Sequence, residues 1–200
     1  MDAGTENVCD LMERYATGDE CVFDALYHAL APRLHGFCRR LALYRPEADD
    51  LFQETFLKLH RARGTYVTGA NVLHWAYAIA RSIFLTNLRY RRRRPEQLGA
   101  AEDVARQEGI QVQDLDTPEQ ELIAENLLEV AVEELGRMSE KNRVAYVLMK
   151  EEGLSSLEAA AILGTSPSAV KKRAQRAYEQ LRTALDIDEV TDFRSNHGTA

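Results

Sequence analysis

From residue 23 to residue 41 the large apolar side chains fall at Phe23, Tyr27, Leu30, Leu34, Phe37 and Leu41, in alternating steps of four and three. Such a stripe lies along one face of a helix and has to be buried against other helices. Pro32 sits inside it, which predicts a kink or a break at that point. The same period returns in "PEADDLFQETFLKLHRA", where Phe52, Thr55, Phe56 and Leu59 share a face and Pro46 precedes an acidic first turn. It returns again in "ANVLHWAYAIARSIFLTNLRYRRRR", which places Val72, Trp75, Ile79 and Ile83 inward and His74, Tyr77 and Arg81 on another face. The stretch "RGTYVTGAN" between these two helices reads as a loop, by Gly64 and Gly69. No segment alternates as a strand would, and no internal repeat is visible. The expected class is all-α.

A chain of 200 residues has room for one ordinary domain or two small ones. With 45% hydrophobic and 28% charged residues it has the composition of a soluble globular protein. No apolar run approaches the about 20 residues that span a bilayer, so no direct membrane insertion is expected. The acidic start, "MDAGTENVCDLMER", lacks the apolar centre of a signal peptide. Cys9, Cys21 and Cys38 are odd in number and follow no C-x-x-C spacing. That pattern suits reduced thiols in the cytoplasm. His35 and Cys38 would share a helix face as half of a metal site, but no second pair has ligand spacing, so no metal and no cofactor is expected.

Charge is segregated along the chain. Residues 1–95 carry 14 Lys and Arg against 11 Asp and Glu, residues 96–136 carry 1 against 12, and residues 137–200 carry 10 against 9. Two near-neutral blocks flank an acidic connector, which predicts two helical modules and a linker. The first block ends in "TNLRYRRRRPEQ", with Arg89, Arg91, Arg92, Arg93 and Arg94 gathered in an otherwise acidic protein. Clustering of that kind expects an anionic partner. Consecutive residues at a helix end point in several directions, which suits phosphates better than base edges in one groove.

After "PEQLGAAEDVARQEGIQVQDLD", whose periodicity is weak, Thr117, Pro118 and Gln120 signal a helix start, with Ile123, Leu127 and Val130 as its apolar stripe. A helix from about Ser139 to Glu152 comes next, followed by two short helices separated by "LGTSP". In "GLSSLEAAAILGTSPSAVKKRAQRAYEQLRTAL", Ser155 and Glu158 form a capping box, and Ala159, Ala160 and Ala161 allow a close helix crossing. Gly164 supplies a left-handed turn, Ser166 caps the next helix, and Pro167 opens it. Val170, Ala174, Ala177 and Leu181 face inward, leaving Ala169, Lys172, Arg173 and Arg176 outward. A short helix, a glycine turn and a second helix with a cationic outer face make a helix-turn-helix, whose second helix enters the major groove. An enzyme reading has little support: the chain lacks H-E-x-x-H, a P-loop and any convergent carboxylate–histidine set. A stand-alone helix-turn-helix regulator with an N-terminal dimerisation or sensing module remains the alternative.

The first block, from "ALYHALAPRLHGFCRR" through "YRRRR", resembles the first conserved domain of bacterial sigma factors of the extracytoplasmic-function (ECF) type, in the sigma-70 family. "MSEKNRVAYVLMKEEGLSSLEAAAILGTSPSAVKKRAQRAYEQLR" is similar to that family's second domain. The resemblance implies two small helical domains joined by an acidic linker: a sigma region 2-like bundle at 8–95, a linker at 96–117, a region 4-like helix-turn-helix domain at 118–186 and a loose tail at 187–200. It implies a specificity subunit, not an enzyme. Such a subunit binds core RNA polymerase, directs it to promoters and helps melt the minus-ten element.

Residue by residue, the resemblance assigns Asp49, Asp50, Gln53, Glu54 and Leu57 to the helix that docks on the β′ clamp coiled coil. It assigns the segment from Tyr66 to Arg94 to the minus-ten element: loop residues Tyr66, Thr68 and Asn71 beside a flipped base, the face through His74, Tyr77, Arg81 and Asn87, and the arginine cluster. It assigns the minus-thirty-five element to Ser166, Ser168, Ala169, Lys171, Lys172, Arg173 and Arg176. Other implied partners are the polymerase β flap and an anti-sigma factor, and the linker would run through the polymerase cleft. Ser82 stands where the family commonly has Asn, His60 where it often has Trp, and no acidic residue lies near Asn87. These departures bear on base preference.

Overall fold

The computed structural model describes residues 7–93, 127 and 130–185, and among these all regular structure is helical. Thr117 with its capping residues, Ile123, Arg94, the acidic linker and the tail lie outside the described residues. Helix α1 (Val8–Ala16) is capped by the Asn7 side chain, which accepts from the Cys9 N–H at 3.2 Å, and buries Leu11, Met12 and Tyr15. A 3-10 turn (Glu20–Val22) leads into α2 (Phe23–Ala42), then α3 (Arg45–Ala62), a second 3-10 turn (Arg63–Thr65) and α4 (Val72–Arg92). These four helices form one bundle around Leu26, Leu30, Leu34, Phe37, Leu41, Leu51, Leu59, Val72 and Ala76.

Of the kink or break expected at Pro32, the break is absent: helix α2 runs through it. Proline at this position forgoes the ladder bond to the His28 carbonyl. Leu30 and Leu34, on either side, and Phe37 and Leu41 beyond them are all fully buried. Burial worth about 1.5–3 kcal/mol for each such side chain outweighs the proline penalty of about 3 kcal/mol.

The second unit begins, within the described residues, with α5 (130–137). It continues with α6 (Glu140–Tyr146), a π turn (Val147–Glu151), α7 (Ser156–Leu163) and α8 (Pro167–Ala184). Leu127 and Val130, expected on an inward stripe, are exposed. Ala131 and Leu135 instead contact a small cluster of Met138, Ala177 and Leu181. The expected capping box is present: Glu158 N–H donates to Ser155 Oγ at 3.3 Å, and Ser155 N–H to the Glu158 carboxylate at 2.8 Å. Two hydrogen bonds to the charged form hold the Glu158 carboxyl below its ordinary value. Gly164 ends α7 at φ +60, and Ser166 caps α8 by accepting from the Ala169 N–H at 3.3 Å. Ala159 and Ala160 are buried at the crossing while Ala161 is exposed, and α8, at 18 residues, is longer than expected. Val170, Ala174, Ala177 and Leu181 are buried, as their spacing requires.

The two units meet. Val144, Ala145, Val147, Leu148, Leu154, Ala159, Ala160, Ile162 and Leu163 share one continuous buried cluster with the α1–α4 core. The contact falls on α4, which the second unit covers through α7. That closure decides which candidate residues reach solvent.

Candidate functional site

Helix α3 begins with Pro46 in its first turn and buries Ala48, Leu51, Thr55, Phe56 and Leu59. The 3.6-residue period then forces Asp50, Gln53, Glu54 and Leu57 to the opposite side, where all four are exposed. Leu57 is 55% exposed, a large apolar side chain at the centre of a carboxylate-rich face. That combination suits a protein partner better than solvent. Asp49 stands at the edge of the face, 2.8 Å from His35 Nε2. His35 is thus engaged by Asp49 in a hydrogen bond. Cys38 is buried, its thiol pushed up to about 12 by desolvation. Among the described residues no group of three or more His, Cys, Asp or Glu side chains is placed to hold a metal.

The loop before α4 is anchored to α1. Gly69 N–H donates to the Glu13 carboxylate at 3.0 Å, and the Tyr66 hydroxyl donates to the Ala70 carbonyl. The Tyr66 ring leans on Trp75 at 5.5 Å between centroids. Asn71 caps α4, its side chain accepting from the His74 N–H at 3.2 Å, and remains exposed beside Thr68. The loop thus presents Thr68 and Asn71 on a fixed base, with Tyr66 half-buried behind them.

Helix α4 departs from the expected division of faces. Trp75, expected in the core, is only partly buried, and Tyr77, expected outward, is 0% exposed. The Tyr77 ring packs on Phe37 at 4.4 Å, and its hydroxyl donates to the Glu152 carboxylate of the second unit. Burial first, and Glu152 second, raise the Tyr77 phenol well above its ordinary value. His74 lies 4.0 Å from Glu158. Arg81 is half-buried, its pKa lowered by desolvation and by the neighbouring Arg173 and Arg89. The period of α4 marked the side turned to its own bundle. It held no information about a second unit covering another side.

The arginine cluster divides as well. Arg91 pairs with Glu47 of α3, and Asn87 Nδ2 donates to Glu54 at 3.4 Å, so both tie α4 to α3. Arg89 and Arg93 are exposed. In the helix-turn-helix, Ser166, Ser168, Lys171, Lys172 and Arg176 are exposed, while Ala169 and Arg173 are half-buried. The outer face of α8 is open to solvent; Arg173, at its inner margin, lies near Arg81.

Sequence reasoning overlooked Glu152, Arg33, Arg40 and Arg143. Glu152 follows the π turn, where its N–H reaches back to the Val147 carbonyl at 2.9 Å. Its side chain is 4% exposed, with Arg33 at 3.6 Å and Arg40 at 3.5 Å. The only local hint was the acidic pair before Gly153, which a solvated turn explains equally well.

Comparison with known proteins agrees with this geometry. The profile of sigma-70 region 2 matches residues 26–94, and that of sigma-70 region 4 matches residues 128–181. The chain is similar to the RNA polymerase sigma factor CarQ of Myxococcus xanthus, with 34% identity over 174 residues that cover 87% of this chain and 95% of that one. It is similar to the ECF RNA polymerase sigma-E factor of Haemophilus influenzae, with 28% identity over 177 residues, 88% of this chain and 93% of that one. Among solved structures it is similar to the sigma factor RpoE from Bartonella quintana, determined in complex with the anti-sigma factor NepR. The TM-score is 0.67 and the identity 25%, with 84% of this chain and 98% of that one covered. Both regions are present in order on one helical chain, and the chain belongs to the sigma-70 family of RNA polymerase sigma factors, as a member of the ECF type.

Proposed function

We propose that the exposed α3 face of Asp50, Gln53, Glu54 and Leu57, with Asp49 at its edge, is the surface through which this sigma factor binds the β′ clamp coiled coil. The observation that supports it most is an apolar residue, Leu57, standing among carboxylates on a helix whose other side is fully used by the core. Region 2, at 8–95, takes the minus-ten element through Tyr66, Thr68, Asn71, His74, Tyr77, Arg81 and Asn87, with Arg89 and Arg91–Arg94 as its hold on phosphates. Region 4, at 118–186, takes the minus-thirty-five element through Ser166, Ser168, Ala169, Lys171, Lys172, Arg173 and Arg176, and meets the β flap. The linker at 96–117 joins them and the tail at 187–200 follows. The protein works in the cytoplasm, does no chemistry of its own and is held in check by an anti-sigma factor, as the complex of its Bartonella quintana relative suggests. A stand-alone regulator is disfavoured by the family, since both regions match.

Run-off transcription with purified core polymerase and no other sigma factor tests this directly. The expected result is a transcript that depends on both the chain and a cognate promoter; tight operator binding without transcription would refute it. Replacing Lys171, Lys172 and Arg176 together with Gln is expected to weaken binding to a duplex carrying the upstream element. Because each phosphate contact contributes about −0.9 to the slope of log K against log salt, that slope should flatten by about 3. A salt titration that leaves the slope unchanged would remove these residues from the interface.

A further inference from the structure

Of the minus-ten candidates on α4, Tyr77 is buried and His74 and Arg81 are half-buried where the second unit covers the helix, and one carboxylate of that unit, Glu152, bonds directly to Tyr77. The Glu152 carboxylate accepts from the Tyr77 hydroxyl and lies 3.6 Å from Arg33 Nη2 and 3.5 Å from Arg40 Nη1. Arg40 Nε also reaches Glu151 at 3.4 Å, and Arg33 donates to the Glu152 carbonyl at 3.4 Å. The two arginines belong to α2 and keep 54% and 36% of their side chains exposed, so they neutralise Glu152 while staying solvated themselves. The π turn at Val147–Glu151 and the positive φ of Gly153 (+70) set Glu152 at this point of the interface. A wide turn of this kind often marks a functional position in a helix.

Two features of the interface work against closure. Arg173 of α8 lies close enough to Arg81 of α4 to disfavour its charge, a like-charge repulsion across the contact. Arg143 is buried over the Phe84 ring at 5.4 Å; its Nη1 donates to the Leu135 carbonyl at 3.1 Å, but its Nε finds no hydrogen-bond partner among the described residues. A charge desolvated without full compensation opposes the contact that buries it. The Phe84 ring beneath Arg143, the proximity of Glu47 and Glu140 to it and the edge contact of His74 with Glu158 at 4.0 Å offset part of this. Apolar packing and one well-held carboxylate thus oppose like-charge repulsion and an incompletely bonded cation.

We propose that Glu152 is an intramolecular latch: seated between Arg33, Arg40 and Tyr77, it holds region 4 closed over the His74–Tyr77–Arg81 face, and promoter melting requires its release. This rests on the reading of that face as the minus-ten surface. The closed chain leaves the α3 face and the outer face of α8 exposed, so the latch silences one function and spares the other two.

The test uses the full chain and two substitutions, Glu152→Gln, which keeps shape and removes charge, and Glu152→Arg, which reverses it. Small-angle scattering reads domain separation, anisotropy of a labelled single-stranded minus-ten oligonucleotide reads the covered face, and thermal unfolding verifies that each variant is folded. Both variants are expected to expand. If the closed form holds about nine-tenths or more of the wild-type population, their affinity for the single strand should rise by about tenfold or more. Folded variants that stay as compact as wild type overturn the latch. Expansion without any gain in single-strand affinity establishes the latch and refutes instead the assignment of His74, Tyr77 and Arg81 to DNA.

Discussion

Replacing Asp50 and Glu54 together with lysine is expected to abolish promoter-dependent transcription while leaving the protein folded. Both side chains are exposed on α3, and the cross-helix contact of Glu54 is a long hydrogen bond from Asn87 at 3.4 Å. Exposed substitutions of this kind change stability by about 0.5 kcal/mol or less. At the polymerase contact the effect is of another order. Two carboxylates that face a complementary surface become two like charges against it, which costs several kcal/mol. A loss of about 3–4 kcal/mol is two to three orders of magnitude in affinity. Polymerase capture and run-off transcription should fall together, while helicity and binding of the upstream duplex by α8 stay near wild type. Unchanged capture would move the interface elsewhere.

Phe37→Ala is expected to produce the largest loss of stability. Phe37 is fully buried in α2, at the centre of the α1–α4 core, and its ring backs Tyr77 at 4.4 Å. Phenylalanine-to-alanine substitutions in such positions cost about 3–5 kcal/mol, from lost transfer energy and the cavity left behind. Whole domains are stable by only about 5–15 kcal/mol, so the urea midpoint should drop steeply or the variant should be partly unfolded. Leu57→Ala is the matched comparison: also apolar, but 55% exposed, and expected to shift stability by about 0.5 kcal/mol or less. Similar urea curves for the two variants would mean that the bundle is not organised around Phe37.

The helix-turn-helix was legible in the sequence because its signals are local. Ser155 with Glu158, Gly164, and Ser166 with Pro167 each satisfy or shape backbone within a turn of themselves, and the structure has each of them in place. The α3 face was legible because a helix buried on one side has to expose the other. Pro32 left a kink and a break equally open, since the local penalty was visible and the burial of its neighbours on α2, which keeps the helix unbroken, was not yet countable. Tyr77 and Trp75 misled for another reason. A period reports that a face is buried without naming what buries it, and the partner of Tyr77 is Glu152, 75 residues along the chain. Neither residue carries any mark of the other in its own neighbourhood.

The exposed α3 face has a kinetic consequence. If that face is the docking surface and the covered α4 face takes the minus-ten element, capture and commitment are separate steps. Polymerase can meet α3 in a second-order step whose rate follows its concentration and the ionic strength. On the proposed latch, parting of the two regions would follow as a first-order step that further polymerase cannot hasten. The observed rate of open-complex formation would then level off as polymerase increases, and the height of that plateau would measure the interface between α4 and α7.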